Sequence, residues 1–301
     1  MSVAVITDSL ACLPGQLAAQ WNIGILPINI RFGDKVYRDS VDLSAAEAYE
    51  LFAKNPDAFS TSPASPAQYI EAIRREAERA RDVLCITVSS RLSTVYNVAS
   101  LAGEQVGAEF PKGKVVVVDS ETVLASQGFL ALDAAREAAA GRSLDWVRRK
   151  VEETKSRVSF VLVLESIRNV YRTGRVPKVA AQAASVLPVK ALLTVSHGVV
   201  RPVGVARSVS QGIENSLSKL KDRVGNKPIH VAVMHAYSPG EGEKLRDRIA
   251  SEFNCAELWL TEVSPVVGYA LGAGAIGFAY YIDPALPDNR CFHGPDAPTS
   301  S

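Results

Sequence analysis

The sequence predicts an α/β protein in two parts, and three observations carry that prediction. Apolar runs at Val3 to Ile6, from Val83, and at Lys114 to Val118 each stop at a polar pair or triplet: Thr7-Asp8-Ser9, Ser89-Ser90 and Asp119-Ser120. A helical pattern follows each run, so the strands are expected to lie parallel with their carboxyl ends together. At 301 residues the chain exceeds the usual size of a single core, and its texture changes near Val158, where a second β-α-β pattern begins.

After the first strand, Leu13 to Trp21 reads as a helix and Gly24 to Phe32 as one strand, irregular or at an edge because it carries Pro27. Ser44 is placed to cap the helix that starts at Ala45. Phe59 to Pro66 (FSTSPASP) reads as a rigid loop of hydroxyls and prolines leading into an amphipathic helix over Ala67 to Arg81. Val83 to Asn97 is the organising stretch: strand, polar turn, then a helix entered through Ser93-Thr94. Such a junction gathers hydroxyls and unpaired backbone N–H groups and suits a carboxylate or phosphate; Ser89, Ser90 and Ser93 would equally serve as helix caps. Helices follow over Leu124 to Ala140 and Leu144 to Lys155, with Gly141 as a stop.

The second part starts with the strand Phe160 to Ser166, a short helix through Arg168, a turn from Tyr171 to Arg175 and a small-residue helix near Ala180 to Ser185. Pro188 to Val195 and Val199 to Val205 flank Ser196-His197-Gly198, a hairpin turn. The helix Val209 to Arg223, the strand Ile229 to Met234, the helix Gly240 to Phe253 and the strand Ala256 to Leu260 come next. A Gly-rich loop then leads to a last strand, Ala275 to Ile282. The expected division is residues 1–158, residues 159–284 and a loose tail over residues 285–301.

Composition narrows the function classes. Hydrophobic residues make up 47%, charged residues 22%, and the formal net charge is +1, so no basic excess marks a nucleic-acid binder. Lysines and arginines alternate with acids, as in Glu71 to Asp82. Cys12, Cys85, Cys255 and Cys291 lie far apart without a CxxC pair, so neither a zinc site nor a disulfide framework is expected. No window approaches a membrane span and the N-terminus lacks a signal-peptide pattern, which makes a cytoplasmic protein without stable membrane insertion the expectation. Gly272-x-Gly274-x-x-Gly277 matches the dinucleotide fingerprint in letters only, because it precedes an aromatic strand instead of opening a helix. There is no Walker A loop, GxSxG elbow or HExxH pair, and His197, His230, His235 and His293 show no ligand spacing. Of the four, His235 at a strand end is the one to follow. Arg172 and Arg175 flank a glycine turn where they could clamp an anion.

Thr7-Asp8-Ser9, Pro27 with Phe32-Gly33-Asp34 and Asp39, and Thr61-Ser62 stand in an order shared with a known group. So do Ser89-Ser90-Arg91-Leu92-Ser93 with Tyr96, Asp119-Ser120, Gly174-Arg175-Val176, Lys190, Gly198, Arg207 and Gly272-x-Gly274. In these features the chain resembles the DegV family, bacterial two-domain α/β proteins that bind long-chain fatty acids. The resemblance runs from Val3 to Tyr281 and implies an apolar tunnel between the domains. It assigns the fatty-acid carboxylate to Thr61 and Ser93, with Ser62, Ser90 and Gly272 beside them. It implies no cofactor and no catalytic residue: the protein would present its lipid to a fatty acid kinase, with Arg175 and Arg207 near the acyl phosphate or the kinase. The chain departs from the family at Ala270, where a histidine is usual, leaving Tyr269 as the nearest substitute donor. Smaller departures are Pro63-Ala64, Thr94 and Val95. The alternative from another class is an enzyme acting on a small acyl or anionic substrate, with Ser93 as nucleophile or Asp8 and Asp119 as acid–base groups.

Overall fold

A computed structural model describes residues 2–175, 189–282 and 292–293. The helix expected near Ala180 to Ser185 lies outside the described residues, as does the tail except for Phe292–His293.

The chain opens with β1 (Val3–Asp8), α1 (Gly15–Gln20) and β2 (Ile23–Leu26), then β3 (Asn29–Phe32) and β4 (Lys35–Arg38). Gly24 to Phe32 is therefore two strands, not one. Pro27 has no N–H to give a ladder, and the chain leaves the first sheet there to start another. After α2 (Ala45–Lys54), whose Ser44 and Glu47 form a reciprocal capping box, β5 (Phe59–Ser62) pairs antiparallel with β3, Thr61 lying opposite Ile30. The expected loop is thus a strand over its first four residues. Its serines and threonine hide the period-two pattern by which a strand is usually read. β4, β3 and β5 form a small antiparallel sheet in that order.

α3 (Pro66–Arg79) begins with a second capping box, Ser65 with Gln68, and a proline in its first turn. β6 (Asp82–Thr87), α4 (Val95–Glu109) and β7 (Val115–Asp119) complete a parallel sheet in the order β2-β1-β6-β7, as the three apolar runs predict. α5 (Ala125–Ala139) and α6 (Leu144–Lys155) follow, with Gly141 at φ +78° between them.

Every strand of these two sheets precedes residue 159, where the first strand of the third sheet begins. β8 (Ser159–Leu164) and α7 (Arg168–Arg172) lead to β9 (Lys190–Ser196) and β10 (Val199–Ala206). The turn of that hairpin is His197-Gly198, with φ +50° and +78°, the left-handed pair that a two-residue hairpin requires. α8 (Val209–Val224), β11 (Ile229–His235), α9 (Pro239–Glu252) and β12 (Cys255–Glu262) give the expected parallel β-α-β unit. The segment read as a Gly-rich loop contains a helix, α10 (Pro265–Leu271), before β13 (Ile276–Ile282) and the two-residue β14 (Phe292–His293). The mixed sheet runs β10-β9-β8-β13-β11-β12-β14.

One core crosses from the first half to the second. It runs from Val3 on β1 to Tyr281 on β13, with α5 buried along most of its length between the two sheets. Phe129 meets the rings of Trp259 at 5.2 Å and Tyr281 at 5.1 Å. Next to it, Asp133 accepts hydrogen bonds from Tyr281 (2.9 Å) and Thr154 (2.8 Å). Glu257 receives Arg136 at 2.5 Å and lies 2.8 Å from His230 Nδ1. Burial raises the Glu257 carboxyl, but the His230 bond and the Arg136 charge outweigh it and hold the group down at about 2.

Candidate functional site

A cavity of about 510 Å³ lies between the halves, within the size range of small-molecule sites. Leu10, Ile28, Val88, Val123 and Leu124 wall it from the first half, and Phe160, Leu162, Leu193, Val195, Val200 and Val266 from the second. The lining also includes the hydroxyls of Thr61, Ser62 and Thr194 and the guanidinium of Arg175, and it takes in the whole segment from Ser90 to Thr94, Arg91 included.

That segment is fixed by groups that the sequence offered as catalysts. The Asp8 carboxylate accepts from Leu10 N–H (3.1 Å) and Val88 N–H (2.7 Å), tying the end of β1 to the end of β6. Burial pushes it up to about 6, against the opposing pull of those bonds. The Asp119 carboxylate accepts from the N–H groups of Ser90 (3.2 Å) and Glu121 (2.8 Å). Ser89 is committed as well: its N–H donates to Thr122 O (2.9 Å), and its hydroxyl accepts from Arg91 N–H and donates to Gly198 O at 3.1 Å. Gly198 N–H in turn donates to Glu121 O at 2.8 Å, so the hairpin tip is clasped from both sides.

Ser93 is freer. Its hydroxyl accepts from Val95 N–H at a long 3.4 Å, and its side chain is half-buried in the cavity lining. Thr94 takes the cap position of α4 without a side-chain cap bond, which leaves the first turn of that helix open beside the cavity. Thr61 comes from β5. Two residues after buried Phe59, it shares that strand face and reaches the lining half-buried, and no described residue hydrogen-bonds its hydroxyl. Ser62 and Ser90 line the cavity as exposed residues.

α10 supplies Val266, Val267, Tyr269, Ala270 and Leu271. Ser264 caps it, accepting from Val266 N–H (3.2 Å) and donating to buried Asp39 (2.6 Å), while the Tyr49 hydroxyl holds Val263 O at 2.9 Å. Burial raises the Asp39 carboxyl above its ordinary value, the Ser264, Ser9 and Ser40 hydroxyls opposing it. The Tyr269 ring stacks on Phe59 at 5.3 Å and meets Phe52 edge-on at 5.6 Å, locking α10 against β5 and α2.

Of the residues expected at the site, Thr61, Ser62, Ser90, Ser93, Tyr269 and Arg175 are brought together in the lining, and Gly272 and Arg207 are not. Gly272 ends α10 at φ +85°, and a Cβ there would lie 2.8 Å from Asn169 Nδ2, so its glycine is explained by packing. Arg207 is exposed ahead of α8, its N–H donating to Gln211 Oε1 at 2.8 Å. Arg175 is exposed, its guanidinium donating to Thr173 O at 2.8 Å. Arg91, quoted in the sequence motif but given no role there, also lines the cavity. His235 lies outside the lining: it accepts from Ser238 N–H at 3.3 Å, and burial lowers its pKa, leaving a neutral ring that fastens a turn.

The lining, among the described residues, contains no aspartate, glutamate, histidine or cysteine. Among the described residues no group of three or more His, Cys, Asp or Glu side chains is placed to hold a metal ion, and no helix is long and apolar enough to cross a membrane.

Comparison with known proteins agrees on one family. A DegV domain-containing protein of Mycobacterium bovis is 30% identical over 290 residues, 95% of this chain and 100% of its own length. Two solved structures, a fatty-acid-binding DegV family protein from Thermus thermophilus and DegV, a fatty acid binding protein from Bacillus subtilis, each match at TM-score 0.85 and 26% identity. Each comparison covers 94% of this chain and 100% of the other. The family model described as "Uncharacterised protein, DegV family" matches residues 2–283, and the chain belongs to the DegV family.

Proposed function

We propose that this chain binds a long-chain fatty acid in the cavity between its halves and presents the carboxylate to a fatty acid kinase, doing no chemistry itself. The observation that carries the reading is a cavity between the halves whose lining is mostly apolar and includes the hydroxyls of Thr61, Ser62, Ser90 and Ser93. Similarity to proteins that bind fatty acids supports it. Thr61 and Ser93 hold the head group, with Ser62, Ser90 and Tyr269 within the same lining. Residues 1–158 supply the serine and threonine hydroxyls, and residues 159–284 supply Tyr269 and cover the tail, in a cytoplasmic protein.

The tail dominates affinity. At about 0.8 kcal/mol per buried methylene, a chain of roughly sixteen carbons contributes on the order of 10 kcal/mol before the costs of association. One hydroxyl contact to a carboxylate is worth about 1.5–3 kcal/mol, roughly ten- to hundredfold in affinity. The hydroxyls therefore orient the head group more than they retain it. Arg91 and Arg175 are exposed in the lining and Arg207 is exposed outside it; in this reading the first two neutralise a phosphoryl group added to the carboxylate and Arg207 contacts the kinase.

Native mass spectrometry of the purified protein, repeated after organic extraction, tests the first half of this reading: a stoichiometric fatty acid is expected. A protein that is empty and takes up no added fatty acid overturns it. For the second half, Ser93→Ala combined with Thr61→Ala is expected to weaken lipid retention and kinase-dependent phosphorylation. The reading fails if both are unchanged.

A further inference from the structure

A buried carboxylate outside the lining is tied to both walls of the cavity. Asp39 is 1% exposed, and among the described residues no cation pairs with it. Hydroxyls hold it instead: Ser264 donates at 2.6 Å and Ser40 at 3.3 Å, and the Ser9 hydroxyl lies against it too. Taking a carboxylate out of water with only hydroxyls for company is costly, and the best-attested role of such groups is to fix the register between elements.

The partners of Asp39 come from distant stretches of chain, and two of those stretches lead to the cavity. Asp39 N–H donates to Ile28 O at 2.9 Å, and Ser9 Oγ accepts from Ile28 N–H at 3.2 Å, so both backbone groups of Ile28 are held here. Ile28 lines the cavity from the first half. Ser264 caps α10 by accepting from Val266 N–H at 3.2 Å, while its own N–H donates to Cys12 Sγ at 3.3 Å. Val266 lines the cavity from the second half, and the rest of α10 continues that wall to Leu271. Asp39 is thus linked by its backbone to one wall and through a single serine to the other.

We propose that Asp39 is a positioning residue for the cavity: by holding Ser264 beside the stretch that carries Ile28, it sets α10 against the opposite wall and governs how long an occupant stays. Asp39 itself is not part of the lining. This rests on the fatty-acid reading above for the identity of the occupant, and adds to it a residue that acts on release without touching the lipid.

The test uses the full-length protein loaded with hexadecanoic acid, as wild type, Asp39→Ala, Asp39→Asn, Ser264→Ala and the combination of the two alanine variants. Exchange against an excess of deuterated hexadecanoic acid is followed by native mass spectrometry. From the usual worth of a hydrogen bond to a charged group, Asp39→Ala and Ser264→Ala are each expected to release the lipid roughly tenfold faster. The combination is expected to release it no faster than the faster single variant, because both remove the same bond. Asp39→Asn keeps an acceptor for Ser264 and is expected to recover most of the retention. Leu220→Ala is the stability control: it opens a void in the separate core on the opposite face of the mixed sheet, and its release is expected to match wild type.

Unchanged release in both single variants, additive effects in the combination, or equally fast release from Leu220→Ala overturns the proposal. A wild type that takes up no hexadecanoic acid overturns the fatty-acid reading and the claim about release with it. Amide hydrogen exchange of the lipid-free proteins decides the positioning role separately. Faster exchange at Ile28 and through α10 is expected in Asp39→Ala and not in Leu220→Ala; unchanged exchange there overturns that role. If Asp39→Ala fails to fold, Ser264→Ala against Leu220→Ala makes the same comparison.

Discussion

Gly198→Ala is the sharpest test of how the hairpin of the second half grips the segment that starts at Ser89. Gly198 sits at φ +78°, and a Cβ there would lie 2.6 Å from Ser89 Oγ and 3.3 Å from Arg91 Cδ. Placing an L residue in the left-handed region costs about 1–2 kcal/mol. Making room for the methyl displaces the Ser89 hydroxyl from Gly198 O and pulls Gly198 N–H from Glu121 O, each worth about 0.5–1.5 kcal/mol. The expected loss is about 2–5 kcal/mol, read as a lower urea midpoint at unchanged m-value for the lipid-free protein. His197→Gly is the control: it alters the same turn at an exposed residue and should change stability by less than about 1 kcal/mol. The hairpin also supplies Leu193, Thr194, Val195 and Val200 to the cavity, so Gly198→Ala should release a bound lipid faster. A midpoint indistinguishable from that of His197→Gly would refute the clasp.

Asp8 makes stability depend on pH. Its folded value of about 6 stands above the ordinary 3.8, so the native state keeps a proton that the unfolded chain releases. The contribution is fully present below about pH 4, declines as pH rises to about 6 and is flat beyond, a span of about 3 kcal/mol at 1.36 kcal/mol per unit. Urea midpoints between pH 4 and 7 should show this slope in the wild type and its loss in Asp8→Asn; the same slope in both proteins would remove Asp8 as its source. Glu257→Gln strips a carboxylate from Arg136 and His230. Removing one partner of a buried pair typically costs about 3–5 kcal/mol. Because the Arg136 side chain keeps 28% exposure, the lower end is expected in equilibrium unfolding, and a loss under about 1 kcal/mol would count against the pair's role between the halves.

Three strands of the parallel sheet were readable because they are unbroken apolar runs closed by polar residues: β1 is buried throughout and β6 from Val83 to Thr87. The hairpin was readable from His197-Gly198, and the cap of α2 from Ser44. Short elements whose side chains answer to tertiary contacts were not. β5 is a strand because β3 lies beside it, and its polar residues carry no alternation of their own. α10 was masked by Gly268 and Gly272, although Ser264-Pro265, a capping serine before a first-turn proline, was a legible start signal. Of the residues singled out by motif order, Thr61, Ser62, Ser90 and Ser93 share the cavity lining. Gly272, whose conformation serves a helix end, and exposed Arg207 lie outside that lining. The apolar wall was invisible because its members, from Leu10 to Leu271, meet only in three dimensions.

Since both halves wall the cavity and one core joins them, whatever fills that space belongs to the interior. An occupant bound only by the folded chain, present at a hundredfold excess over its Kd, adds about 2.7 kcal/mol to stability. The lifetime of the protein then reports its load. Emptied molecules open more often than filled ones and are the first offered to proteases, so the population left standing is enriched in occupied molecules.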